Sequence, residues 1–278
     1  MKNILLFNDF SPEAEHATEL ALLLAGKTNA NLYVWDIHDS KETPVVAEMA
    51  TITINEELLD IPVGKNSWID KLESNLNWQT GLRPAVHFIE DIYYAPEHIL
   101  PLINKFDIGL LIKGLAEDAD GKLHVDASVL NNSTRSGCPV MLVPEKFPYK
   151  TFEKIVYPTD LRFCRREVIL FLCKYAKALN AGILVANVPA QGLPHMESNY
   201  ALNIFKDEIL HAANYENIYF SNVRERDIPK ALDVLVNGMN NDLLVLLNHK
   251  YHFNELVGRE EPYTIPANIR VPLLVFPS

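Results

Sequence analysis

The chain has 278 residues, of which 48% are hydrophobic, and its formal net charge is −11. This composition is typical of a folded globular protein, and the length suits two domains of ordinary size. No run of about 18 apolar residues occurs, which excludes an ordinary membrane span, and the acidic charge argues against nucleic-acid binding.

The first half of the chain alternates segments that favour strands with segments that favour helices. The first strand is expected at 3–8. The helix after it begins at Ser11-Pro12-Glu13, because serine is a good N-cap, proline fits the first helical position and acids favour the first turn. Breakers around a β-rich piece indicate an irregular segment at 38–63. Further strands are predicted at 31–37, 84–89, 108–112 and 140–143, and further helices at 67–79, 96–105 and 125–134.

The second half follows the same order after a linker at 147–150. Strands are predicted at 154–157, 182–187, 218–223, 243–247 and 273–276, and helices at 163–179, 198–213 and 228–237. Such alternation predicts right-handed crossovers and an α/β fold in which mostly parallel five-stranded sheets carry helices on both faces.

The two halves are copies of one another. Residues 4–10 recur as residues 155–161, which is 151 positions later, and both halves end alike, at 138–144 and 271–277. Four identities keep the same offset, namely those of Ala25, Asn29, Ala30 and Val34. A repeat of this length predicts a duplicated domain, with one copy at 1–146 and the other at 151–278.

These repeated segments resemble the universal stress protein family in its tandem, two-domain form. The resemblance is carried by a strand, an aspartate and Ser-Pro at 4–11, by 106–108 and 241–244, and by the two matching ends, and it covers nearly the whole chain. It implies two tandem Rossmann-like (adenine nucleotide alpha hydrolase-like) domains. Because the family's domains commonly pair through their last strands, 140–143 and 273–276 are expected to meet as an intramolecular pseudo-dimer, and a homodimer is a further expectation.

The phosphate-binding loop of the family is not recognisable in the first half. ATP-binding members carry Gly-x-x-Gly-x9-Gly-Ser/Thr after the fourth strand, where glycines let backbone N–H groups approach phosphates. Gly114 and Gly121 have the wrong spacing, and Asp126-Ala127, or Ala127-Ser128 with a one-residue slip, stands where Gly-Ser is expected. Asp118, Asp120 and Asp126 would also repel phosphates.

The second half lacks the glycine motif as well. Its residues 246–258 resemble the His-x-x-x-Phe-x-Glu-x-Leu variant of second domains in tandem members from Bacteroidetes-type bacteria. The sequence therefore indicates degraded ATP-binding loops in both halves, so that any ligand contact would come from side chains.

Candidate ligand-binding residues cluster where the strands end. Asp9 and Asp160 occupy the position at which the family's aspartate contacts the nucleoside, although each could instead close its turn by accepting hydrogen bonds from local N–H groups. The candidate cofactor-binding residues are Asp9, Asp160, Asn187, Asn248, His249, Lys250 and Arg162.

Three arginines mark a difference between the copies. Arg162, Arg165 and Arg166 stand at the start of a helix, where the first half has Glu13 and Glu15 and where the helix dipole favours acids. The whole charge is unevenly divided too, since 1–145 carry 10 basic and 22 acidic residues and 146–278 carry 15 and 14. A bound anion, the acidic first half or simple solvation could each account for these arginines.

Catalytic and metal motifs are lacking. His249, His252 and Glu255 are three residues apart, but further zinc ligands are not evident, so no metal site is predicted. No Gly-x-Ser-x-Gly elbow or other nucleophile motif occurs, so no catalytic residue is assigned.

The resemblance therefore implies a universal stress protein that acts without catalysis, through an unknown protein partner or a small ligand. The alternative is an adenine-nucleotide-binding switch, with slow ATPase activity as one form, that binds ATP or AMP in an atypical second-half pocket; a sensor of another anion or metabolite is a third possibility. Asn8 and Asp9 interrupt the apolar start too early for a signal peptide, so we expect a cytoplasmic protein without membrane or nucleic-acid partners.

Overall fold

The computed structural model describes residues 3–37, 69, 83–89, 95–148, 150–248 and 250–278. The predicted irregular segment at 38–63 and nearly all of the predicted helix at 67–79 lie outside these residues. The described chain forms a ten-stranded sheet and a separate two-stranded sheet.

The first half contributes strands β1 to β6. They are Asn3–Asn8, Leu32–Asp36, Val86–Ile89, Ile108–Leu115, Leu123–Val125 and Val140–Pro144. Its helices α1 to α3 are Pro12–Thr28, Pro96–Lys105 and Ala127–Ser136. The sequence predicted where α1 begins: Ser11 is its N-cap and accepts a hydrogen bond from the Ala14 N–H at 3.2 Å. Helix α3 begins two residues later than predicted, because Leu123–Val125 forms the unpredicted strand β5.

The second half contributes strands β7 to β12. They are Lys154–Thr159, Gly182–Asn187, Ile218–Asn222, Leu243–Leu247, Tyr263–Ile265 and Leu273–Phe276. Its helices α4 to α8 are Arg166–Leu179, Ser198–Ile204, His211–Ala213, Ile228–Asp233 and Tyr251–Leu256. A π-helical segment, Phe205–Leu210, joins α5 to α6, and another, Val234–Gly238, extends α7. The predicted helix at 163–179 begins only at Arg166, and α8 and β11 were not predicted.

The large sheet has the same strand order in both halves. The strand order is β3-β2-β1-β4-β6-β12-β10-β7-β8-β9. From its outer edge inwards, each half therefore contains its third, second, first, fourth and last strands in that order. Within each half the pairs are parallel, as predicted. The halves meet where β6 and β12 pair antiparallel, with Leu142 opposite Leu273.

Helices cover both faces of this sheet. Side chains alternate along each strand, so Ile4 and Leu6 of β1 face one apolar layer, and Leu5 and Phe7 face the other. Helices α1, α4 and α5 pack on the first layer, and α2, α3, α7 and α8 on the second. Each layer contains residues from both halves, which means that the core is continuous across the β6–β12 boundary.

A two-stranded ribbon adds a second link between the halves. Strand β5 pairs antiparallel with β11, and Val125 lies opposite Tyr263. Leu123, Val125, Tyr263 and Ile265 are buried in the same apolar layer. The ribbon therefore holds the loop after β4 of the first half against the segment before β12 of the second.

Candidate functional site

A cavity of about 340 Å³ lies at the carboxyl ends of the neighbouring strands β7 and β10. The chain runs from β7 to β8 on one side, whereas β10 lies on the other, so the strand order reverses here. Open parallel sheets usually bind ligands at such a point. The lining of the cavity includes Thr159, Asp160, Phe163, Arg165, Lys250, Tyr251 and His252.

The cavity depends on how the chain leaves β7. At the repeat offset, Phe163 is equivalent to Pro12, the first residue of α1. A 3₁₀ turn, Leu161–Phe163, occupies this position instead, and α4 begins three residues further on. The late helix start leaves space beyond β7 that a helical turn would otherwise occupy.

The first half fills the equivalent space with its own backbone. Gly114 of β4 lies so near the first turn of α1 that a Cβ atom there would be 2.4 Å from the carbonyl oxygen of Glu13. Gly114 pairs with Val143 of β6, and Leu247 of β10 pairs with Phe276 of β12. By this pairing, Leu247 is the second-half equivalent of Gly114. Gly114 thus permits close helix packing, and Leu247 lines a cavity.

The carboxylate of Asp160 is buried and held on both oxygens. Oδ1 accepts from the Arg162 N–H at 3.1 Å and from Arg162 Nε at 2.8 Å, and Oδ2 accepts from the Ala190 N–H at 2.9 Å. Its side chain has no exposed surface. The bond from the Arg162 N–H closes the turn, which the sequence allowed as an alternative to ligand contact, whereas the bond from the Ala190 N–H ties Asp160 to the loop after β8.

Asn187 and Arg162 serve the same turn. Asn187 Oδ1 accepts from the Leu161 N–H at 3.0 Å, and its Nδ2 donates to Asn222 Oδ1 at 2.8 Å. Arg162 also donates from Nη2 to the Pro194 carbonyl at 2.9 Å. Asn187 and Arg162 therefore connect the loops after β7, β8 and β9 by hydrogen bonds.

Cationic and aromatic side chains form the open part of the cavity. Lys250 is exposed and Arg165 half-buried, and no carboxylate in the described chain forms an ion pair with either. Phe163 and Tyr251 are 44% and 39% exposed, and their ring centroids are 5.2 Å apart. From the sequence, Lys250 was a candidate and a bound anion was one explanation of Arg165, but the two rings were not expected there.

Asn248 and His249 precede Lys250 in the loop after β10. Asn248 is fully buried and points away from the candidate set, because its Nδ2 donates to Thr134 Oγ1 of the first half at 2.8 Å. Its Oδ1 is buried without a hydrogen-bond partner. His249 lies outside the described residues, so its predicted role stays a prediction.

His252 presents a neutral imidazole to the cavity. The side chain is buried, and Nε2 donates to the Val188 carbonyl at 2.9 Å. Burial lowers the pKa of His252, and the Val188 carbonyl and nearby Asp160 offset this only in part. The cavity therefore gains no positive charge from this ring near neutral pH.

Asp9, the first-half counterpart of Asp160, is exposed and closes its own turn. Its Oδ1 accepts from the Ser11 N–H at 3.1 Å and from the Ser11 hydroxyl. The start of α1 packs on Gly114. The backbone beside Asp9 therefore fills the space that corresponds to the cavity of the second half.

The carboxylates after β4 are committed to local structure. Asp126 caps α3 by accepting from the Ser128 N–H at 2.8 Å, and it forms an ion pair with Lys113 at 2.9 Å. Asp118 accepts from the N–H groups of Asp120 and Lys122, and its pKa is lowered mainly by the Lys122 bond. Gly121, at φ +74°, allows the tight turn between Asp118 and Lys122.

Two functional features are not seen among the described residues. No group of three His, Cys, Asp or Glu side chains in that part of the chain is placed to hold a metal ion. The helices described there are also too short or too polar to cross a membrane.

The cavity-lining residues that the sequence analysis missed had a weak signal. Phe163 was assigned to a continuous helix because its apolar character fits the helical period, and the 3₁₀ turn leaves no distinct pattern. Tyr251 and His252 belong to α8, a helix of six residues, which is too short for periodicity to reveal.

Comparisons with known proteins agree in fold. No protein-family model matches the chain, and no curated protein does. A solved structure of a universal stress protein from Archaeoglobus fulgidus DSM 4304 aligns with a TM-score of 0.61 at 12% identity, covering 99% of this chain and 98% of that one.

Two structures from Pseudomonas aeruginosa are also similar. A candidate universal stress protein from strain UCBPP-PA14 has a TM-score of 0.53 at 12% identity, covering 100% of this chain and 93% of that one. A protein of unknown function from strain PAO1 has a TM-score of 0.52 at 12% identity, covering 100% and 92%. The chain therefore has the fold of the universal stress proteins.

Proposed function

We propose that this chain is a universal stress protein of the tandem type, and that it acts without catalysis by binding a small ligand in the second-half cavity. The supporting observation is that a cavity of about 340 Å³ stands at the strand-order reversal of the second half, whereas Glu13 packs on Gly114 at the equivalent place in the first. Duplication would then have kept two scaffolds and one binding site.

The absence of catalysis in this proposal rests on the chemistry of the lining. The acid at the cavity, Asp160, accepts hydrogen bonds on both oxygens and has no exposed side-chain surface, so it does not present a basic oxygen to a substrate. His252 uses Nε2 to donate to a carbonyl, and no serine among the described residues lines the cavity. A general base must be within hydrogen-bond reach of the proton that it removes.

ATP fits these residues poorly. The loops from Asp160 to Arg165 and from Asn248 to Lys250 contain no glycine, so they supply no nest of close backbone N–H groups for a polyphosphate chain. In the first half, Gly114 is used for helix packing and Gly121 for a turn. The proposal therefore includes the loss of ATP-loop binding in both halves.

A nucleotide-binding switch is the second candidate. The observation in its favour is that Arg165 and Lys250 line the cavity and have no acidic partner in the described part of the chain, so a single phosphate, as in AMP, could meet two cations. In that case AMP should bind more tightly than ATP. Stabilisation by ATP, together with phosphate release from it, would favour a slow ATPase instead.

The test is a thermal-shift screen of the full chain with nucleotides, organic acids, amines and sugars. At least one compound should raise the melting temperature, and a Phe163→Ala, Lys250→Gln double variant should lose that shift. Tyr200→Ala with Lys177→Gln removes an exposed ring and a lysine outside the cavity and should keep it. NMR spectra of the stabilising compound should show no turnover.

A screen in which no compound stabilises the protein would contradict the proposal. The same holds for a shift that the double variant leaves intact, since the ligand would then bind elsewhere. A protein partner is the alternative to a small ligand in this proposal. A homodimer and a cytoplasmic location complete it, and light scattering on the purified chain tests the homodimer.

A further inference from the structure

The charges at the second-half cavity favour a ligand with one anionic group. Arg165 and Lys250 line it, and no carboxylate of the described chain pairs with either. Asp160, also in the lining, has its charge offset by Arg162 at 2.8 Å and no exposed side-chain surface. Two cations without acidic partners attract an anion, and they are too few for the charge of a polyphosphate.

The remaining surface favours a flat, apolar body. Phe163 and Tyr251 are large rings with 44% and 39% of their surface exposed, and they contact one another beside the cavity. Leu247 and Phe253 add further apolar lining. Aromatic rings pair with other rings in offset or tilted geometry, so exposed rings of this kind suit an aromatic ligand.

The size of the cavity agrees with a small molecule. Ligand pockets range from about 300 to 1,000 Å³, and this cavity of about 340 Å³ is at the lower end. Such pockets are mostly apolar, with a few polar groups that fix the orientation of the ligand. Here Arg165, Lys250, Thr159 and His252 are the polar groups.

We propose that the second-half cavity binds a small aromatic carboxylic acid, whose carboxylate interacts with Arg165 and Lys250 and whose ring packs against Phe163 and Tyr251. This inference rests on the proposed function, because it names the class of ligand for the same cavity. It differs from the nucleotide candidate in that the ligand has one charged group and carries neither sugar nor phosphate.

The test compares acids with their uncharged amides. Phenylacetate and indole-3-acetate are titrated into the full-length protein by calorimetry, in parallel with phenylacetamide and indole-3-acetamide. Each acid should bind at least about tenfold more tightly than its amide, since a charge-assisted hydrogen bond is worth roughly 1.5–3 kcal/mol. Inorganic phosphate and AMP are titrated alongside.

Variants separate the two kinds of contact. Lys250→Gln and Arg165→Gln should each weaken acid binding about fivefold to tenfold and leave amide binding unchanged. Phe163→Ala should weaken both the acids and the amides. Lys177→Gln, an exposed lysine of α4 outside the lining, should change neither and serves as the matched control.

The outcomes distinguish this inference from the function on which it rests. Equal binding of acid and amide, or acid binding that Lys250→Gln and Arg165→Gln leave intact, overturns the inference. Cavity-dependent binding of AMP without binding of the acids also overturns it, while the proposed function stands. If no compound of either screen binds, both fail.

Discussion

The side-chain amide of Asn248 donates a 2.8 Å hydrogen bond to the hydroxyl of Thr134, across the boundary between the two halves. Asn248 follows β10 and is fully buried, and Thr134 belongs to α3 of the first half. Thr134 in turn donates to the Leu130 carbonyl at 3.1 Å, so its hydroxyl acts as donor and acceptor. The loop that carries Lys250 to the cavity is thereby tied to the other half of the molecule.

Removal of either partner of this bond should destabilise the protein. Thr134→Val leaves the Nδ2 group of Asn248 buried and unpaired, next to an Oδ1 atom that already lacks a partner. We expect a loss of about 1–3 kcal/mol in the free energy of unfolding, measured with chemical denaturants. The double variant Thr134→Val, Asn248→Leu should recover much of that loss because no polar group is then left unpaired. Simple addition of the two single losses would show that the residues are not coupled.

The contact between Glu13 and Gly114 predicts a large effect from one methyl group. In Gly114→Ala the new Cβ would lie 2.4 Å from the Glu13 carbonyl oxygen, and that backbone cannot move without shifting the start of α1. We expect a loss of about 1–3 kcal/mol. Gly238→Ala is the control, because its nearest neighbour is a Val234 methyl at 3.5 Å, an ordinary contact. If the two variants lose the same free energy of unfolding, the close approach to Glu13 does not require glycine at position 114.

Asp160 should prove important for stability. Asp160→Ala leaves the Ala190 N–H and the Arg162 Nε group without their acceptor. Hydrogen bonds that involve a charged group contribute roughly 1.5–3 kcal/mol, so we expect a loss of about 2–3 kcal/mol in chemical denaturation. Asp160→Asn keeps one acceptor oxygen and should lose less.

This stability effect bears on how ligand binding is tested. A loss of binding in Asp160→Ala could reflect a distorted loop rather than a lost contact, so Lys250→Gln is the better probe of the cavity. Asp160→Ala with unchanged stability would show that the buried carboxylate is not needed to hold the turn.

His252 predicts a pH dependence of stability. Its pKa is lowered in the folded protein, chiefly by burial, whereas in the unfolded chain it should be near 6.5. Below about pH 6.5 the unfolded chain therefore takes up a proton that the folded protein does not, and stability falls by up to about 1.4 kcal/mol per pH unit. Above that pH both states are neutral and the contribution is constant.

The measurement is the free energy of unfolding of wild type and His252→Gln at about pH 7.5 and pH 5.5. Glutamine can still donate to the Val188 carbonyl but does not titrate in this range. The variant should lose less stability than wild type between the two pH values. Parallel curves for the two proteins would mean that His252 titrates alike in both states.

Much of the fold was predictable from the sequence because its signals are local and occur twice. The strand positions followed from short apolar runs, and the start of α1 followed from Ser11-Pro12. The two links between halves differ in this respect. Pairing of β6 with β12 was expected from the resemblance, whereas β5 and β11 are three residues long and pair across 140 positions, so no local pattern reveals them.

The candidate site was less predictable. Asp160, Asn187 and Arg162 were rightly placed at the end of the strands, yet their hydrogen bonds run to one another and to neighbouring loops. Lys250 was named as a candidate and lines the cavity, whereas the rings of Phe163 and Tyr251 join it only because the segments that follow β7 and β10 converge there.

The sequence by itself determined the α/β architecture of both halves, because strand and helix periodicity are properties of residues that are close together in the chain, and the same local patterns recur 151 positions later. Only the tertiary structure decided which half has a cavity at the carboxyl ends of its first and fourth strands. That difference depends on the space between the end of the first strand of each half and the start of the helix that follows it. In the first half, Gly114 lets the backbone of α1 fill this space. In the second half, Leu247 and the late start of α4 at Arg166 leave it open.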